Sequence, residues 1–418
     1  MYTTQLQNSD NTSTNGGVKD RLTPVGFMAA VIFACGPYMY ATIRGIGLFM
    51  FLMVMYIAAV LLQAIRKYGG KAPIKHSRIQ RAFVLLVVWE NMSYVWSASF
   101  DFGNVYTLFK IVVFFLLLNI NIYSEKDRKV MRFAMTGTAV LAIYMMLTTV
   151  RTIDVSFLAE RASFSFFGVA QDPNYMCQLL VVPVVVLLAA ALKENTPLIK
   201  RIISAILCLF ILYGVLYTGS RGGFLGAFIG IISYIIVYRK MSMKKALALV
   251  AGAILLFGVY TYLIGLLPDA VSSRFSADAI FRSRYGTSSR TGLWAKYFRT
   301  MTQNPTSFLL GYGKNTGGSI IGFGAHNYFV QQFFECGIVG LALSISLLIC
   351  IFRIAWENKQ WIAVASFFGI IVMMMTLSVG SDLRFWLVMV FICISAQYPN
   401  EDMEIVTEMN NNFYYSEG

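Results

Sequence analysis

Charge is scarce in this chain. Asp, Glu, Lys and Arg make up 13% of its 418 residues, while 57% are hydrophobic and the mean hydropathy is +0.65. A soluble domain carries about 25% charged residues, so the deficit excludes a globular core with a single anchor. Histidine is rarer still, with only His76 and His326. The cysteines at 35, 177, 208, 336, 350 and 393 all fall inside apolar runs. None lies in an external loop, which excludes a disulfide framework and leaves them as small hydrophobes within helices. There is no phosphate-binding glycine loop, no metal-ligand cluster and no nucleophile elbow. No cleavable leader is read at the start. The polar stretch MYTTQLQNSDNTSTNGGVKD reads as a short tail, with the first span as its own targeting signal.

What is present in quantity is the long apolar run. Stretches near 20 residues recur along the whole length, as transmembrane helices require. They fall at 25–43, 45–65, 82–99, 103–122, 130–150, 174–192, 198–217, 221–238, 246–267, 326–352, 361–379 and 383–398. The reading is an all-α, polytopic membrane protein of about 12 transmembrane helices, with one long outer-facing loop containing short helices. In the first pair, Gly36-Pro37 interrupts one run and only Arg44-Gly45 separates it from the next. The pair can instead be one helix and a re-entrant piece. Lys and Arg concentrate in alternate connections, such as 66–81, 126–132 and 239–245. By the positive-inside rule both termini are cytoplasmic. This topology accounts for most of the net charge of +14 and removes the case for nucleic acid. The chain divides into an inner tail (1–23), N-terminal helices (24–150), helices with two outer turns (151–267), a long outer loop (268–325), C-terminal helices (326–398) and an inner tail (399–418).

The long outer loop breaks the charge rule. It holds Arg274, Arg282, Arg284, Arg290, Lys296, Arg299 and Lys314 against only Asp269 and Asp278. That excess suggests a site for an anionic, lipid-attached substrate. The loop ends in Ala325-His326-Asn327 at the start of an apolar helix, where a histidine can handle a proton at the lipid surface; alternatively it is a helix cap. Glu335, about 2.5 turns further on, lies deeper and on another face. A carboxylate inside a span is either functional or bonded to a neighbour.

Two short outer turns add to this. In RASFSFFGVAQDPN, Asp172 and Pro173 suit a helix start, while Arg161 sits among Phe and Ser close to the membrane. In YTGSRGG, glycines let backbone approach a ligand and Arg221 offers a planar fork to a diphosphate. A tight turn with a snorkelling arginine is the alternative. After Arg290, the segment Leu293–Phe298 reads as an amphipathic helix at the interface. Glu90 and Lys110 lie about equally far from the turn near Asp101, which predicts a structural salt bridge between them.

In these stretches the chain resembles the O-antigen ligase/polymerase family. The resemblance rests on RASFSFFGVAQDPN, YTGSRGGFLGAFIG, the Arg290–Trp294 segment with its later Pro and Gly-x-Gly, and HNYFVQQFFECGIVG, in the family's order over residues 155–350. It implies a metal-independent, inverting glycosyltransferase that needs no cofactor. Its donor would be an undecaprenyl-diphosphate-linked glycan, and it would act outside the bacterial inner membrane. Carried over, Arg221 and Arg290, with Arg161, would hold the diphosphate. His326 would orient or deprotonate the acceptor hydroxyl. Asp172, Asn174, Ser220, Asn327 and Glu335 are the accompanying candidates for substrate binding. Partners would be the glycan or lipid acceptor, membrane lipids, and a flippase and chain-length regulator of the same pathway. The family contains polymerases and ligases; the polymerase is the leading expectation here. A lipid-linked oligosaccharide flippase and a non-catalytic assembly partner are the readings of another class.

Overall fold

A computed structural model describes residues 21–43, 46–70, 77–99, 105–119, 122–149, 164–166, 169–193, 196–238, 287–380 and 382–398, with a few positions between 262 and 272. Among these residues the chain is a bundle of helices. The N-terminal group is α1 (Pro24–Ala34), α2 (Leu48–Tyr68), α3 (Arg78–Met92), α4 (Val105–Leu117) and α5 (Glu125–Thr149). The middle group is α6 (Pro173–Leu192), α7 (Leu198–Tyr217) and α8 (Arg221–Tyr238). The outer loop contributes α9 (Thr287–Thr302), α10 (Pro305–Leu310) and α11 (Gly317–Ile321), and the chain closes with α12 (Tyr328–Glu357), α13 (Trp361–Thr376) and α14 (Leu383–Gln397). Two antiparallel hairpins interrupt the helices: Thr42–Ile43 with Ile46–Gly47, and Phe164–Phe166 with Val169–Gln171.

Helices α2, α5, α6, α7, α8 and α12 are long and apolar enough to cross a membrane; α1, α13 and α14 are shorter apolar helices. The chain is a multi-pass membrane protein. Large apolar side chains such as Phe133, Ile65, Leu198 and Ile206 face outward, where a bilayer would cover them. The first apolar run resolves as the short α1, a 3-10 turn at Gly36–Tyr38 and a hairpin. Pro37 cannot donate a helical hydrogen bond, which ends the helix there. The span expected at 246–267 lies mostly outside the described residues, as do Arg161, Arg274, Arg282 and Arg284.

Two packing devices place the outer loop. Glycines 222, 226 and 230 stand four apart on one face of α8, so α13 can approach closely. A Cβ built on Gly226 would lie 2.9 Å from the carbonyl oxygen of Gly369, and one on Gly369 would lie 2.7 Å from that of Gly226. Small residues at such a crossing are how membrane helices gain dispersion contact where lipid is as apolar as they are.

The second device is a break inside α12. Gly337 adopts φ 68, ψ −172, a conformation open to glycine. The carbonyls freed by the break find donors elsewhere. Tyr312 N–H donates to Phe334 O at 2.9 Å, Gly313 N–H to Glu335 O at 2.9 Å, and the Trp89 indole to Cys336 O at 2.8 Å. The approach needs glycine on both sides. A Cβ on Gly311 would stand 2.4 Å from the Glu335 carbonyl, and one on Gly337 would stand 2.1 Å from the Leu309 oxygen.

Candidate functional site

The two outer turns meet. Asp172 caps α6, its Oδ1 accepting from the backbone N–H of Asn174 at 2.7 Å and of Tyr175 at 3.4 Å, with Pro173 in the first turn. The Asn174 amide also donates to Asp172 at 3.0 Å, and its oxygen accepts from the Ser220 hydroxyl at 2.8 Å. Ser220 Oγ in turn accepts from Gly223 N–H at 3.1 Å. One hydrogen-bonded chain therefore joins Asp172, Asn174 and Ser220 to the first turn of α8, which opens with the half-buried Arg221.

The long loop is held by its aromatic residues. Tyr297 and Met301 of α9 pack with Ile321, Ala325, Phe333 and Phe334, a second core separate from that of the bundle. The Trp294 indole donates to Ala325 O at 2.8 Å, the Tyr297 hydroxyl to Phe323 O at 2.6 Å, and the Lys296 ammonium to Ile321 O at 2.9 Å. The helix expected over Leu293–Phe298 thus exists, and its apolar face lies against the start of α12. Arg290 precedes Trp294 by four residues, so both are on one face of α9. Trp294 bonds the carbonyl next to His326. Arg290 and His326 are in this way carried by one hydrogen-bonded unit.

His326 is exposed and has φ 47, a left-handed conformation uncommon outside glycine but one that histidine adopts more often than most side chains. The cap of α12 is Asn327, which is buried and whose Oδ1 accepts from the backbone N–H of Phe329 at 2.9 Å and of Val330 at 3.2 Å. The helix-cap alternative for His326 therefore passes to its neighbour. The histidine sits just outside the helix, facing solvent.

The segment Thr376–Gly380 between α13 and α14 links the two groups. The Tyr175 hydroxyl donates to Ser378 O at 3.1 Å. A Cβ on Gly222 would lie 2.6 Å from Thr376 Oγ1, and one on Gly324 would lie 3.8 Å from Ser378 Oγ. The Asp-Pro-Asn turn, the Ser-Arg-Gly-Gly turn and the His326 loop thus border one stretch of backbone.

Beneath this rim lies a layer of buried charge. Lys314 is 4% exposed, and its ammonium stands 3.4 Å from Glu90 and 3.5 Å from Glu335. Burial works against its charge, but the nearby carboxylates outweigh burial and hold its pKa well above the usual lysine value. Glu335 also accepts from the Gln331 amide at 3.0 Å. It is 1% exposed and bonded to its neighbours. The expected Glu90–Lys110 bridge is corrected here: the partner of Glu90 is Lys314, from the far end of the outer loop. Equal depth in a hairpin is a local criterion and cannot anticipate a lysine over 200 positions away. Of the loop cations, Lys314 is committed to this buried layer, and Lys296 donates to a backbone carbonyl of its own loop.

The sequence reading also missed a second pair. Arg384 bonds Asp382 at 2.6 Å, and Asp382 accepts from the Gln178 amide at 3.0 Å. The guanidinium stands 5.2 Å from the Tyr40 ring centroid and 5.1 Å from that of Tyr175. The signal was there: two opposite charges two residues apart at the mouth of an apolar run.

No curated protein matches the chain. Residues 206–345 match the family model described as O-antigen ligase. That stretch contains the Ser-Arg-Gly-Gly turn, α9 to α11, His326 and the break in α12. Asp172, Asn174, Glu90 and the Asp382–Arg384 pair lie outside it. Over this stretch, about a third of the chain, which includes residues that build the rim, the protein is similar to the O-antigen ligase family.

Proposed function

We propose that the protein is a glycosyltransferase acting on undecaprenyl-diphosphate-linked oligosaccharides at the outer face of the bacterial inner membrane, and that it polymerises the repeat units of a surface polysaccharide. The observation that carries this reading is the shared scaffold of Arg290 and His326 on α9 and its hydrogen-bonded loop, which borders the same Thr376–Gly380 segment as the turn that holds Arg221. Arg221 and Arg290 would stabilise the charge that builds on the departing lipid diphosphate, and His326 would take the proton of the acceptor hydroxyl as it attacks the anomeric carbon. A lipid diphosphate is already activated, so transfer outside the cell needs no nucleotide. Asn174 and Ser220 would shape the wall of the site. Asp172, Asn327 and Glu335 are engaged in holding helix ends and the buried charge layer, so their effect on substrate would be through position. A ligase that passes the glycan to a different acceptor is the second reading, favoured by the description of the matching family. A flippase fits less well: among the described residues, the buried cations Lys314 and Arg384 are each met by carboxylates rather than open to a passage.

The test is purified protein in liposomes with an undecaprenyl-diphosphate-linked repeat unit and no other acceptor. The expected product is a ladder on a gel, absent with His326→Ala and reduced about 10²–10³-fold with Arg290→Ala. Product formed only after a second acceptor is supplied identifies a ligase. Undiminished activity in both variants overturns the assignment of the site.

A further inference from the structure

The helices that carry the outer rim also build a site at their other ends. Helix α6 runs from its Asp172 cap to Lys193, α8 from Arg221 to Tyr238, α13 from Trp361 to Thr376 and α14 from Asp382 to Tyr398. In each, one end borders the rim and the other a cavity of about 250 Å³. The length of α6 is roughly 30 Å at 1.5 Å per residue, close to the hydrocarbon thickness of a bilayer. The cavity therefore opens at the opposite membrane interface.

Its lining has three characters at once. Arg128 and Arg132 of α5, Lys193 after α6 and Lys359 before α13 supply four cations, and no Asp or Glu is among the described lining residues. Tyr234, Tyr238, Trp361 and Tyr398 supply aromatic edges, and Val186, Ala189, Phe391 and Ile394 form an apolar wall. The Arg128 guanidinium lies 3.8 Å from the Tyr398 ring centroid, which fixes its orientation. Its buried Nε has no hydrogen-bond partner among the described residues. Lys359 adopts φ 52. Glycine would make that turn with less strain, yet the position is a lysine that lines the cavity.

We infer that this cavity binds the phosphodiester headgroup of an anionic membrane phospholipid, with its acyl chains along the apolar wall. The cations and the free Nε–H answer to phosphate oxygens. Basic pockets between membrane helices on the cytoplasmic side suit such headgroups, and tyrosine and tryptophan belong at that depth. A soluble phosphate compound shares the headgroup chemistry but would leave the apolar wall without a function.

The experiment uses the full-length chain in neutral detergent, titrated with dihexanoyl phosphatidylglycerol, dihexanoyl phosphatidylcholine or inorganic phosphate, with binding read by thermal shift and native mass spectrometry. Saturable binding of the phosphatidylglycerol, and none of the phosphatidylcholine, is the expected result. Arg132→Gln with Lys193→Gln should weaken it about tenfold or more, while His326→Ala leaves it unchanged. Lys359→Gly should weaken binding while keeping or raising the melting temperature, which separates a lost ligand contact from a lost fold. Three results overturn the inference. The variants bind phosphatidylglycerol as the parent does. Inorganic phosphate binds as tightly as the lipid, which assigns the cavity to a soluble compound. Or the lipid binds only after removal of residues 399–418, whose five carboxylates and no cation would then be the occupant. Because the readout is binding, it stands apart from glycan transfer.

Discussion

At the scale of single residues, Lys314 carries the largest electrostatic responsibility. It neutralises Glu90 from α3 and Glu335 from α12, so it joins these two helices to the long loop at one point. Removing one partner of a buried ion pair costs about 3–5 kcal/mol, because the other charge is left in low dielectric. Lys314→Met should therefore lower the melting temperature and the yield of folded protein sharply. The triple change with Glu90→Gln and Glu335→Gln should recover a large part of the loss. A fall in yield with Lys314→Met that the two neutralising changes do not relieve would show that shape, not charge, holds the layer. The pH dependence has a definite sign. Since the folded-state pKa is raised, the stabilisation is whole below the ordinary lysine pKa, roughly 10.4, and is lost only as pH climbs through the raised value. A thermal melt series from pH 6 to 9 should show no contribution from this group.

At the scale of elements, the interrupted α12 is the joint between span and loop. Gly337→Ala would force a side chain into the left-handed region and into the Leu309 carbonyl, whereas a Cβ on Gly318 meets nothing within 4 Å. Strain of this kind costs about 1–3 kcal/mol before the clash is added. Gly337→Ala should give little folded protein by size-exclusion chromatography, and Gly318→Ala should elute as the parent does. These elements also mark how far the sequence is readable. The runs at 174–192, 198–217 and 221–238 agree with α6, α7 and α8 to within a residue, because hydropathy, Pro173 and the capping Asp172 are local signals. The run at 326–352 was legible as a span but not as a broken one. Its break depends on the Leu309–Gly313 backbone and on Trp89, and no period within the helix encodes them. The glycine spacing of α8 was in view, yet it reads as a ligand turn until α13 is set against it. For the site, the residues of the two turns and the loop could be singled out singly; that they border one backbone segment is a tertiary fact.

At the scale of the whole molecule, the helices have two chemically different ends. One carries Arg221, Arg290 and His326 on a rim of polar turns; the other gathers Arg128, Arg132, Lys193 and Lys359 around aromatic rings. The positive-inside rule would put the second end in the cytoplasm. Phe323, 73% exposed on the His326 loop, offers the test. In a background freed of native cysteines, Phe323→Cys should react with a membrane-impermeant thiol reagent added to intact spheroplasts. Labelling only after lysis would invert the topology. The break at Gly337 has a further consequence for how such a chain is made. The insertion machinery meets Tyr328–Glu357 as one apolar stretch, but three of its carbonyls gain donors only once the backbone of Tyr312 and Gly313 lies against it, and once Trp89 is seated. Completion of this span and folding of the loop before it are thus coupled.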